Sequence, residues 1–220
     1  MSGSAPTASR RAGAYVFLGA GRTAFLSGRS WPAPRNGRPG VWVEDDPDGI
    51  RVCEPGDLPW WLDEELWEAE PGGAERRVRH ALVAERARLL RRVHAWGPPV
   101  AWELVEAVVG RVRDRAVAAL AADGHAEASV TLARTKGLDE LRAACAATSA
   151  GAHDGARLAG FAADAIGFAL DAPGARGAGV AAYVAAHALA GGDAAGPGYE
   201  TRFAEERAWQ AEWLRARLSL

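Results

Sequence analysis

The chain has 220 residues, enough to bury a core without disulfide staples, and its formal net charge of −2 argues against a nucleic-acid partner, since such domains are strongly basic. Cys53 and Cys145 lie far apart and read as reduced thiols, and no run approaches the ~18 apolar residues that a membrane helix needs. The expectation is a soluble cytoplasmic protein with no membrane partner.

Residues 1–13 are small, polar and basic without periodicity, and read as a disordered tail. Residues 14–73 read as a small antiparallel β-rich module with one short helix. Its apolar bursts are brief and bounded by turn residues: AYVFL (14–18) and TAFL (23–26) flank Gly19-Ala20-Gly21-Arg22, while VWVE (41–44) and IRVC (50–53) flank Asp46-Pro47-Asp48-Gly49. Two hairpins are the economical reading. Gly56-Asp57-Leu58-Pro59 looks like a helix start with Asp57 as N-cap, leading into one or two helical turns over WWLDEELW.

Residues 74–220 read as an alanine-rich bundle of about six helices, so the fold class is α+β, predominantly α. Leu82, Leu89, Val93 and Trp96 recur at spacings of seven, four and three, which predicts an arginine-rich helix ended by Gly97-Pro98-Pro99. The next begins near Val100 with Val105, Val108, Val109 and Val112 on one face, and Gly124 stops it. Leu138, Leu141 and Cys145 mark a third. Asp154 is the expected cap of a fourth with Leu158, Phe161, Ala162, Ala165 and Phe168 inward. Val180, Tyr183, Val184 and His187 mark a fifth, and Trp209, Trp213, Ala216 and Leu220 a sixth.

Charge is unevenly placed. From Glu44 to Glu70 there are eleven acidic side chains and one arginine, whereas Glu75 to His94 carries seven arginines and two glutamates. Arg86, Arg88, Arg91 and Arg92 are candidate anion contacts, but the acidic block is a nearer partner, and intramolecular ion pairs are the favoured expectation. Trp60, Trp61 and Trp67 alternate with Asp63, Glu64 and Glu65, a pattern that serves either a protein contact or the module's own core.

Other motifs carry less. The glycines of Gly19-Ala20-Gly21-Arg22-Thr23-Ala24 match the letters of a dinucleotide turn, but Trp31-Pro32 follows too soon for a crossover helix. His125-Ala126-Glu127 lacks the Pro-Cys-x-x-Cys that a zinc deaminase requires, and reads as a helix start. His187 reads as a core histidine held by a hydrogen bond. No metal or cofactor is expected.

The pattern Cys53, Leu58-Pro59-Trp60-Trp61-Leu62, Glu65-Leu66-Trp67, then Arg86 through Val93 and Ala95-Trp96 resembles a group of uncharacterised actinobacterial proteins over residues 14–96. The downstream helices, with Ala185-Ala186-His187-Ala188 and Glu206-Arg207-Ala208-Trp209-Gln210, are similar to immunity proteins of bacterial toxin systems. That likeness implies a helical, toxin-neutralising binder. The leading expectation is a non-catalytic module that recognises another protein through Trp60, Trp61, Asp63, Glu64, Glu65 and Trp67. The first alternative is a small enzyme with a pocket between the β module and the bundle, using Glu64 or Glu65 beside Trp60 and Trp67. The second is anion or nucleic-acid binding by the arginines.

Overall fold

A computed structural model describes residues 13–44 and 47–220 of the chain. The expected tail therefore lies outside the described residues, apart from Gly13. Among the described residues four strands come first: β1 (Ala14–Leu18), β2 (Ile50–Val52), β3 (Glu65–Val78) and β4 (Ala81–Arg92), with a short 3-10 helix at Pro55–Trp60 between β2 and β3. Six helices follow: α1 (Pro98–Ala122), α2 (Ala126–Arg134), α3 (Leu138–Thr148), α4 (Asp154–Asp171), α5 (Ala175–Ala190) and α6 (Tyr199–Leu218). The α+β, mainly α, class holds. Among the described residues, no helix is long and apolar enough to cross a membrane.

The sheet is antiparallel with strand order β1-β3-β4-β2, and it curls until its two edges touch. Tyr15 and Cys53 exchange backbone hydrogen bonds of 2.8 and 2.7 Å across that seam. Alternate β1 residues then serve two cores. Val16 and Leu18 join Trp31, Val43, Ile50, Val52, Trp67 and Leu89 within the curl, while Tyr15 and Phe17 join Leu58, Leu66 and Trp96 against the helices. A strand covered on both faces has no need of polar alternation, which is why AYVFL is apolar throughout.

The strand pairing corrects the two expected hairpins. β1 pairs with β3, and Val43 and β2 both pair with β4. The one long hairpin is β3–β4, turning at Arg79 with a positive φ of 46°. The arginine-rich segment is therefore β4 rather than a helix, and WWLDEELW ends a 3-10 helix at Trp60 and starts a strand at Glu65. The bundle accordingly begins at Pro98, not at residue 74. The misleading helical spacing has a physical source. The β3–β4 register shifts between Glu68 and Ala69 and between Gly72 and Glu75, and the curl-facing positions of β4 change phase from Leu82 to Ala87 and Leu89. Pro98 and Pro99 open α1, where their missing N–H groups cost nothing, instead of closing a helix before it.

α1 is the hub of the bundle, with Leu104, Val105, Val108, Val109 and Val112 buried against α4 and α5. Those two helices meet it through Ala159, Ala162, Ala165, Ala178, Ala181 and Ala182, small side chains that bring helix axes close. The cap of α4 is His153, whose Nδ1 accepts the Ala156 N–H at 3.1 Å, one residue before the expected Asp154. Phe168 turns out to be exposed, as does Ala216 of α6. On α6 the buried stripe runs Tyr199, Phe203, Glu206, Arg207, Gln210, Leu214, Leu218, and Trp209 and Trp213 flank it.

The acidic and arginine blocks meet by cross-strand pairing. Glu70 stands opposite Arg88 and Glu68 opposite Arg91, and each couple forms an ion pair, at 2.7 Å for Arg88–Glu70. Arg92 reaches Glu65 at 3.9 Å, Arg86 reaches Glu44 at 3.6 Å, and Arg77 bridges Glu54 and Asp57 at 2.9 and 2.7 Å. Opposed charges on one sheet face are the strand counterpart of helical i,i+4 pairs. Asp57 lies inside the 3-10 helix rather than capping it, and its Oδ2 accepts the N–H of Glu54 at 3.3 Å.

Candidate functional site

A cavity of about 610 Å³ opens between the curled sheet and the last two helices. Its lining takes in Tyr15, Val16 and Phe17 of β1 and residues 49–53 around β2. Pro59 to Asp63 form one wall, and residues of α5 and α6 form another. The loop carrying Phe25 and Leu26 borders it, and Phe25 is 73% exposed.

α5 supplies its wall because its two sides differ. Alanines pack toward α1 and α4, leaving the larger Val180 and Tyr183 to face the cavity half exposed, although their spacing had suggested core. The first turn of α5 is pinned by Gly177, where a Cβ would stand 2.1 Å from the carbonyl oxygen of Ala172. No other residue fits there without moving the turn that carries Arg176.

Trp60 and Trp61 line the cavity, and each is fixed. The imidazole of His80 stacks on Trp60 at 3.7 Å with 7° between planes, and the Trp61 indole donates to the His80 carbonyl at 2.6 Å. Burial is the main reason that the His80 ring holds its proton less readily than a free histidine, with Arg207, Arg77 and Arg79 adding to it and Asp57 opposing. Asp63 is only 3% exposed. Its Oδ1 accepts from the Glu64 N–H at 2.9 Å and from Arg176 Nε at 3.3 Å, and its carbonyl accepts the Trp96 indole N–H at 2.8 Å.

The remaining sequence candidates lie elsewhere. Glu64 is exposed and outside the lining, Glu65 accepts the Trp67 indole N–H at 2.9 Å, and Trp67 is sealed in the core of the curl. The junction thus holds a pocket where the enzyme alternative placed one, but the carboxylate in it is Asp63, not Glu64 or Glu65. Arg86, Arg88, Arg91 and Arg92 are also outside it, each set against a carboxylate, and Arg86 and Arg88 cover the Trp42 ring at 4.7 and 4.5 Å.

The residue that sequence reasoning missed is Arg207. It is 5% exposed and lines the cavity, with its guanidinium carbon 4.3 Å from the Trp60 ring centre. Nη1 donates to Gln210 Oε1 at 2.9 Å, and Gln210 in turn donates to the Ala182 carbonyl at 2.9 Å. Burial pushes its pKa down to about 10 against the opposing pull of Tyr183 and Glu206. Glu206 itself is bound by Arg111, through Nη2 at 2.8 Å and Nε at 3.0 and 3.1 Å.

Reactive chemistry is sparse. Cys53 lines the cavity, but burial first and the nearby Asp57 second drive its thiol far above the usual range, so it is not a nucleophile at neutral pH. Among the described residues, no histidine or glutamate lines the cavity, and no group of three or more His, Cys, Asp or Glu could hold a metal ion. His187 sits apart, its Nδ1 2.9 Å from the Tyr199 hydroxyl and its ring edge-on to Phe161 at 5.3 Å. His125 and His153 stack at 4.0 Å beside the start of α2. No family model, curated protein or solved structure matches the chain.

Proposed function

We propose that this protein is a non-catalytic binding protein whose ligand is a small, largely apolar molecule seated between the curled sheet and α5–α6. One observation carries the reading: a cavity of about 610 Å³ at the junction, walled by Tyr15, Phe17, Trp60, Trp61 and Tyr183. Its size falls within the roughly 300–1,000 Å³ of small-molecule sites, and such sites are mostly apolar with a few placed polar groups. The role of Trp60 and Trp61 thereby shifts from an outer recognition surface to an inner wall. Glu64 and Trp67 drop out of it, one in solvent and the other in the sheet core.

The test is a titration with N-phenyl-1-naphthylamine, a neutral dye that brightens on entering an apolar cavity. We expect saturable binding at one site per chain, lost in Val180→Trp, whose indole would fill space at a partly exposed lining position without entering the core. Thermal unfolding of that variant should stay cooperative. Unsaturable fluorescence, or equal binding by the folded Val180→Trp protein, would remove the cavity as the binding site.

A further inference from the structure

Resting on that reading, we infer that the ligand is an apolar molecule bearing a carboxylate, which Arg207 binds at the Trp60 end of the cavity. Among the described residues, the cavity lining includes Arg176 and Arg207 and one carboxylate, that of Asp63. Asp63 is held by Arg176. Glu206, next to Arg207 in the chain, is held by Arg111. Among the described residues, no carboxylate stands within ion-pair distance of Arg207, and its buried Nε has no hydrogen-bond partner.

A buried guanidinium without a counter-charge is costly, and proteins that keep one generally pair it. Among the described residues, no Asp or Glu side chain pairs with Arg207, and its chain neighbour Glu206 acts on it only from beyond ion-pair distance. It does supply a positioning shell. Trp60 covers the flat face, Gln210 fixes Nη1, and the Ala182 carbonyl fixes Gln210. Those contacts orient the group without neutralising it, leaving an uncompensated guanidinium at the wall of an apolar space. A carboxylate supplies the missing charge and acceptor oxygens, whereas a neutral head group offers it no charge. The aromatic walls then take the hydrocarbon part.

The experiment displaces N-phenyl-1-naphthylamine from the full chain with 2-naphthoate, 2-naphthalenemethanol or 2-naphthyl phosphate, which share one ring system and differ in head group. We expect naphthoate to compete at least tenfold better than the alcohol and better than the phosphate. Arg207→Gln should bring acid and alcohol within about twofold while the dye itself still binds. Equal competition by acid and alcohol in the parent overturns the inference and leaves the cavity reading standing. Phosphate outcompeting the acid overturns the choice of carboxylate. Failure of the dye to bind at all removes the cavity reading and this inference with it. Should Arg207→Gln not fold, the head-group comparison in the parent decides the matter alone.

Discussion

Removing either partner of the Arg111–Glu206 pair should cost stability, but by unequal amounts. The side chain of Arg111 is 42% exposed and that of Glu206 is 4% exposed, so the two ends have different fallbacks. In Glu206→Gln the freed guanidinium is rehydrated, it keeps its place over Trp209 at 4.1 Å, and the amide oxygen can still accept one of its bonds. The loss is that of charge assistance, about 1–2 kcal/mol. In Arg111→Met the carboxylate is stranded in the interior and the stacking on Trp209 is lost, and breaking a buried pair in this way costs about 3–5 kcal/mol. For a chain of this length the corresponding falls in Tm are roughly 2–8 °C and 6–20 °C. The double variant should recover part of the Arg111→Met loss, since no charge is then left buried. Urea unfolding followed by tryptophan fluorescence measures all three. A Glu206→Gln cost equal to or above that of Arg111→Met would refute the assignment of the burial penalty to the carboxylate.

Three further outcomes follow from local geometry. Gly177→Ala should destabilise by about 1–3 kcal/mol, because the new methyl meets the Ala172 carbonyl oxygen and the start of α5 must move; a Tm equal to the parent's would show that the contact relaxes freely. The His80 ring should titrate below the unperturbed histidine value, read by NMR. Its folded pKa lies below its unfolded one, so its contribution to stability is full above about pH 6.5 and is lost as pH falls through the folded value, and His80→Gln should flatten that part of the stability profile. Cys53 and Cys145 are both buried, with thiols pushed up by burial, Cys145 to about 11. Iodoacetamide at pH 8 should leave both unlabelled in the folded protein and label both in urea; rapid labelling of Cys53 in the folded state would contradict its sealed position.

Long helices were legible because each buries a periodic stripe. The valines of α1 and the Leu158, Ala162, Ala165 series of α4 repeat at three and four residues, and those positions are buried. The complementarity of acidic and arginine blocks was legible from charge alone, since opposite charges close in the chain find each other in many geometries. The geometry itself was not. Two register shifts broke the alternation that would have marked β3 and β4 as strands, and Leu82 and Leu89 fell seven apart by coincidence of that slip. Tyr183 and Val180 looked like core because size and spacing do not reveal that alanines on the same helix already fill the contact with α1. Arg207 did leave a trace. Tyr199, Phe203, Glu206, Arg207, Gln210 and Leu214 form a stripe at spacings of one, three and four, and three successive polar members on an otherwise apolar helical face signal buried polar contacts. What they contact, Arg111, Ala182 and Trp60, lies on other elements, which no local pattern encodes.

The meeting of sheet edges at Tyr15 and Cys53 closes the curl through very few bonds. Two backbone hydrogen bonds there hold residues that are 38 positions apart in the chain. Parting that clasp leaves the β3–β4 hairpin and the helical hub intact, so local opening there need not wait for global unfolding. Deuterium uptake at the amides of residues 15 and 53 would then run faster than in α1, and a bound guest that bridges the clasp would slow it.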